Sequence, residues 1–179
     1  VVVALPLPFS AAVACSRFTD LPQQPRWSPW ITSVECKGNE SRWKVNVRGI
    51  SLSWMATSEA INDPWPGISW ESVSGVKNKG MVQFVPSPDG NSCQMNVKMT
   101  IVPPGILQPL FRGTSVFIED FMRDKLLKWS LEMFRDVVKA DLAIERGDNE
   151  LGDALFGAVE GKASAIEATL NVPGTNGRE

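Results

Sequence analysis

Residues 92–102 read SCQMNVKMTIV, and this stretch decides the fold. Cys93, Met95, Val97, Met99 and Ile101 alternate with Gln94, Asn96, Lys98 and Thr100. A strand with that alternation turns one face to an apolar interior and the other to water. Residues 41–48 repeat the split, with Trp43, Val45 and Val47 opposed by Arg42, Lys44, Asn46 and Arg48. An antiparallel sheet with one solvated face needs a cover on the other.

Short runs of the same kind, separated by turn residues, surround these two: Ile31–Cys36, Ser51–Ser58, Gly67–Val73 and Lys79–Val85. With Ser41–Arg48 and Ser92–Val102 they make a meander of sequential strands. The cover follows Pro103-Pro104-Gly105. From about Ser115 to Ala140 the chain has no glycine or proline and is helical in period, which predicts a helix of about 39 Å. Met122, Leu126, Leu127, Met133, Phe134, Val137 and Val138 fall on one arc of its wheel, opposite Lys125, Lys128, Glu132, Arg135, Asp136 and Lys139. Arg123 falls inside the apolar arc. A guanidinium there needs a partner: water reached past the helix end, a carboxylate, or a polar group on a ligand.

Upstream, Val1–Leu5 reads as a strand stopped by Pro6 and Pro8, with Ser10 capping a helix over Ala11–Phe18. The competing reading of Val1–Cys15 is the apolar part of a secretory signal, with Ala12-Val13-Ala14-Cys15 loosely like a lipoprotein cleavage box. Leu21–Trp30 holds three prolines and is expected to be irregular, anchored by Trp27 and Trp30. Gly75, Asn78 and Gly80 read as a hairpin turn. The organisation expected is one α+β domain over residues 1–145. Residues 146–179, small and acidic, are expected to form a mostly disordered or weakly helical tail whose loss costs little.

Composition narrows the function. A net charge of −2 supplies no field for a phosphate backbone, so nucleic acid is not an expected partner. The chain has no histidine and no tyrosine, which removes the commonest general base and metal ligand. Cys15, Cys36 and Cys93 lack metal or redox spacing and read as small buried hydrophobes. Glu35, Glu59, Glu71 and Glu119 lie nearest apolar segments, but no spacing pairs them. No run of about 18 apolar residues occurs, so no integral membrane segment is expected and any membrane contact is transient. Neither a catalytic residue, a metal nor a cofactor is assigned, and the reading leans away from an enzyme.

The stretches Trp27-Ser28-Pro29-Trp30-Ile31, Ser41-Arg42-Trp43, Ser53-Trp54 and Trp70-Glu71-Ser72-Val73-Ser74-Gly75, continuing through Asn78-Lys79-Gly80 to Phe84, resemble the polyketide cyclase/dehydrase and lipid-transport family. Within it they look most like cyanobacterial and plastid-type members of the coenzyme Q-binding START-like group. The resemblance covers about Val1 to Ala140. It implies a helix-grip fold, in which a curved antiparallel sheet wraps a long C-terminal helix, and a hydrophobic ligand between them. It also suggests a plastid or cytoplasmic setting. By parity, the residues expected to line such a cavity are Leu52, Trp54, Ile68, Trp70, Phe84, Met95, Val97 and Met99 from the sheet. From the helix they are Arg123, Leu127 and Phe134. The partner expected is a lipid, quinone, isoprenoid or polycyclic molecule. The alternatives are a polyketide cyclase or dehydratase, and an assembly factor docking a protein through exposed tryptophans of Gln23–Trp30.

Overall fold

In the computed structural model, residues 1–47, 49–107 and 126–171 are described. The chain runs β1 (Val2–Leu7), α1 (Ala11–Thr19), a 3-10 turn (Leu21–Arg26), β2 (Ile31–Lys37), β3 (Glu40–Val47), β4 (Ile50–Ile61), β5 (Gly67–Gly75), β6 (Asn78–Pro86), β7 (Cys93–Ile101), α2 (Lys128–Glu145) and α3 (Asn149–Asn171). The strands form one antiparallel sheet in the order β1-β7-β6-β5-β4-β3-β2. The meander predicted from parity is therefore present, and β1 extends it by pairing with the last strand, Val2 opposite Lys98 through Leu7 opposite Cys93. Buried Val45, Val47, Val82, Phe84, Met95 and Val97 mark the covered face.

Two local expectations are corrected. β1 does not stop at Pro6 but passes through it to Leu7, with Pro6 opposite Gln94. As an edge strand it has one side free of a neighbour, where a residue lacking an N–H is tolerated. Leu21–Arg26 is regular despite its prolines, because Pro22 sits at the helix start, where the backbone N–H has no intrahelical acceptor. Ser10 caps α1 as expected, its Oγ accepting from the Val13 N–H at 3.3 Å. The cysteines differ from one another: Cys93 is buried, Cys15 half-buried and Cys36 exposed.

α2 lies under the sheet and runs to Glu145, beyond the expected end at Ala140. Leu126, Leu131, Met133, Phe134, Val137 and Val138 are each at most 3% exposed, which matches the apolar arc and adds Leu131 to it. The residues before Leu126 in the expected helix, with Glu119, Met122 and Arg123, lie outside the described residues.

The larger difference is C-terminal. Where a mostly disordered or weakly helical tail was expected, α3 packs on α2 and contributes Val159 and Ile166 to the main core, with Phe156 and Ala163 against it. Gly152 lets the two helices approach, since a Cβ there would sit 2.4 Å from Ile144 Cγ1. Asp136 on α2, its side chain 15% exposed, pairs with Arg135 and with Lys162 of α3. Burial alone would raise its pKa. The hydrogen bonds and charges of Lys162 and Arg135 outweigh that and hold the carboxyl below its ordinary range.

Removing residues 146–179 should therefore destabilise the protein by about 3 kcal/mol or more, the scale of two buried aliphatic side chains. A urea melt of the truncated chain checks this, and an unchanged midpoint would contradict the docking of α3. The Asp136 contribution is complete above the ordinary carboxylate pKa of about 4 and is lost as pH falls through the lowered value. Stability should thus drop on acidification in that window, and less so in Asp136→Asn.

Candidate functional site: an apolar cavity between two core clusters

The buried apolar residues fall into two clusters. The main one gathers β1, α1, β6, β7 and the helices around Phe134. The second, Ile31, Val34, Val45, Trp54, Ala56 and Val76, lies toward β2, β3 and β4. Leu21, Trp30, Leu52 and Ile101 pack against both. A cavity of about 110 Å³ draws its walls from the two clusters together. Phe18, Trp27, Ile68, Val97 and Leu131 come from the first, and Ile31, Trp43 and Trp54 from the second or its edge. Leu21, Met99, Ile101, Leu127, Trp30 and Trp70 complete the apolar lining.

Tryptophans form much of this wall, and their positions follow from sheet register. Trp43 and Trp54 are cross-strand partners on β3 and β4, and their rings stack at 5.6 Å and 6°. Trp70 faces Gly80 across β5 and β6, and its indole lies over that glycine: a Cβ on Gly80 would sit 2.5 Å from Trp70 Cζ2. Four of the indole N–H groups donate within the protein. Trp27 donates to Gln24 Oε1 at 3.1 Å, Trp30 to Ser130 Oγ at 2.9 Å, Trp43 to Ser41 Oγ at 2.9 Å and Trp70 to Asn78 Oδ1 at 3.2 Å. With their donors satisfied, these rings present apolar surface to the cavity.

The remaining lining is Gln24, Ser28, Ser58, Asn78 and Ser130, so every polar group on the described wall is neutral. Ser130 donates to Leu126 O at 2.7 Å and Gln24 to Phe18 O at 3.3 Å. Glu35, Glu59 and Glu71 are exposed and away from it. Among the described residues no group of histidine, cysteine, aspartate or glutamate could hold a metal ion. No described helix is long and apolar enough to cross a membrane.

Of the expected lining residues, Trp54, Ile68, Trp70, Val97, Met99 and Leu127 meet at the cavity. Phe84, Met95 and Phe134 are instead fully buried in the main core. Phe18 packs edge-on against Phe84 at 6.0 Å and Phe134 at 5.4 Å, and Trp27 against Phe134 at 5.1 Å, which closes that end. Leu52 bridges the two clusters, and Arg123 lies outside the described residues. Asn78 and Gly80 are not turn residues but the start of β6, where Asn78 is buried and shares the inward face of Val82 and Phe84. Only Gly75, at φ +78°, serves the turn. Their parity with Val82 was the available signal. Trp27 is buried and Trp30 is bonded to α2, so the exposed docking tryptophans of Gln23–Trp30 are not present.

No family model matches the chain, and neither does any curated protein. Solved structures do. A Deinococcus radiodurans protein is 28% identical over 68% of this chain and 90% of its own, with a TM-score of 0.50. A Thermus thermophilus protein is 17% identical over 79% of this chain and 97% of its own, at 0.58. The di-domain ARO/CYC StfQ from the steffimycin biosynthetic pathway is 11% identical over 79% of this chain and 45% of its own, at 0.54. The fold is thus the α+β helix-grip class, a curved antiparallel sheet closed by C-terminal helices. In fold the chain is similar to the di-domain ARO/CYC StfQ.

Gly80→Ala should lower stability by about 1–3 kcal/mol, because the new methyl meets the Trp70 ring and the Lys98 carbonyl, 2.7 Å away. Tryptophan emission should change with it. Chemical denaturation and an emission spectrum together check the placement of Trp70, and no change in either would contradict it.

Proposed function

We propose that this chain binds and carries a hydrophobic small molecule, a lipid, quinone, isoprenoid or polycyclic, in the cavity between the sheet and α2. The observation behind this reading is a cavity walled by tryptophans and aliphatic side chains whose indole donors are largely engaged inside the protein. Such a wall gains by excluding water when an apolar surface meets it. Covering about 150 Å² of apolar ligand surface contributes about 4 kcal/mol. At about 110 Å³ the cavity suits a ring or a short chain segment, below the roughly 300–1,000 Å³ of drug-sized pockets.

The catalytic alternative, a cyclase or dehydratase, draws support from the fold shared with StfQ. General acid–base work needs a titratable group within reach of the substrate, and the neutral described wall favours carriage.

A quinone such as 1,4-naphthoquinone should quench intrinsic fluorescence saturably, and Trp70→Ala should weaken its binding. Quenching that rises without saturation, as for free tryptophan, would contradict the reading. Native mass spectrometry of protein purified from its own source should show a mass increment that organic solvent removes.

A further inference from the structure

Two amide side chains in the cavity wall, Gln24 and Asn78, have hydrogen-bonding capacity left over, and Asn78 is the more firmly held, its Nδ2 bond being 2.8 Å against 3.3 Å for Gln24 Nε2. Asn78 is 8% exposed and lines the cavity beside Trp70. Its Oδ1 accepts from Trp70 Nε1 at 3.2 Å, and its Nδ2 donates to Val76 O at 2.8 Å. These partners fix which way the amide points, because an indole N–H can only donate and a carbonyl can only accept. A primary amide has two N–H donors and two acceptor positions. Among the described residues, one N–H of Asn78 and one lone pair therefore have no protein partner. Its backbone is held as well, with the Asn78 N–H donating to Ser72 Oγ at 2.9 Å.

A buried donor without an acceptor is costly, and Asn78 stands beside the apolar rings and aliphatic side chains that make up most of the wall. We propose that Asn78 is a recognition point for one neutral hydrogen-bond acceptor, a ketone or quinone carbonyl oxygen, on an otherwise apolar ligand. This rests on the cavity being a ligand site. It selects neutral carbonyl compounds over pure hydrocarbons, which leave the amide unsatisfied. It selects them over carboxylates too, since a buried anion needs a paired cation and the described wall supplies only neutral groups. The amide is held from two sides before any ligand arrives, so little ordering is required on binding.

The test compares acetophenone with isopropylbenzene, which share a shape but differ in the carbonyl, by isothermal titration calorimetry on the full chain and on Asn78→Leu. The wild type should bind both. The substitution should lower the preference for acetophenone about three- to tenfold, the scale of one hydrogen bond, while leaving isopropylbenzene binding in place. An unchanged preference overturns the role of Asn78 and leaves the carrier reading standing. Failure of the wild type to bind either compound overturns both. A measurement on the wild type guards against loss of folding in the variant. The carbonyl stretch of bound carbon-13-labelled acetophenone should lie below its frequency in alkane, and in Asn78→Asp, which replaces the donor by an acceptor, the lowering should disappear. An alkane-like frequency in the wild type overturns the proposal.

Discussion

Between the seven-stranded sheet and α2 the interior is packed solid at one end and leaves a cavity of about 110 Å³ toward the other, and the rest of the architecture follows from how that space is divided. At one end the division is settled by Phe134. Its ring meets Phe9, Phe18 and Trp27 edge-on at 6.4, 5.4 and 5.1 Å, the arrangement favoured by the aromatic quadrupole. This packing sets the depth of α2 beneath the sheet and draws α1 and the Leu21–Arg26 turn in with it. At the other end β2, β3 and β4 form their own cluster around Val45 and Trp54. Space is left between the two.

Polar contacts orient this arrangement more than they hold it. Arg26 grips Asp141 of α2 through two hydrogen bonds of 2.7 and 2.9 Å, and Arg17 of α1 pairs with Glu145. Arg17 and Glu145 are well exposed, where such pairs contribute little net stability. Their effect is on direction: they tie the C-terminal half of α2 to the segment that carries Trp27 and Trp30. The Trp30 bond to Ser130 ties the first turn of α2 to the same segment, so contacts at both ends of the helix agree on its position.

The sheet was legible because parity is a strict signal. The runs read as Ile31–Cys36 and Ser92–Val102 return as β2 and β7 with ends shifted by about a residue, and the helix face from Leu126 to Val138 is the buried one. Parity tells which face a side chain takes but not how much space remains beneath it. Val97 and Met95 share a face, yet one meets the cavity and the other is sealed in the core. Trp43 and Ile101 share that inward parity and are wall residues outside the expected lining, and Leu21–Trp30, expected to be an anchored irregular segment, also supplies wall. α3 was hard to foresee for another reason. Its alanines and glycines carry little hydrophobic signal, but their small size is what permits close helix approach, as at Gly152 against Ile144.

The pairing of β1 with β7 also orders events during synthesis. The strands from β2 to β7 pair with sequence neighbours and can form as they leave the ribosome, one hairpin after another. β1 is made first and finds its partner last, because Val2 sits opposite Lys98 and nearly the whole sheet must emerge before that ladder closes. In the interval Leu5, Leu7 and Phe9, all core residues of the finished protein, have no sheet to bury them. The unfinished domain is therefore most exposed to chaperones, or to other chains, through the residues of β1 and the turn after it.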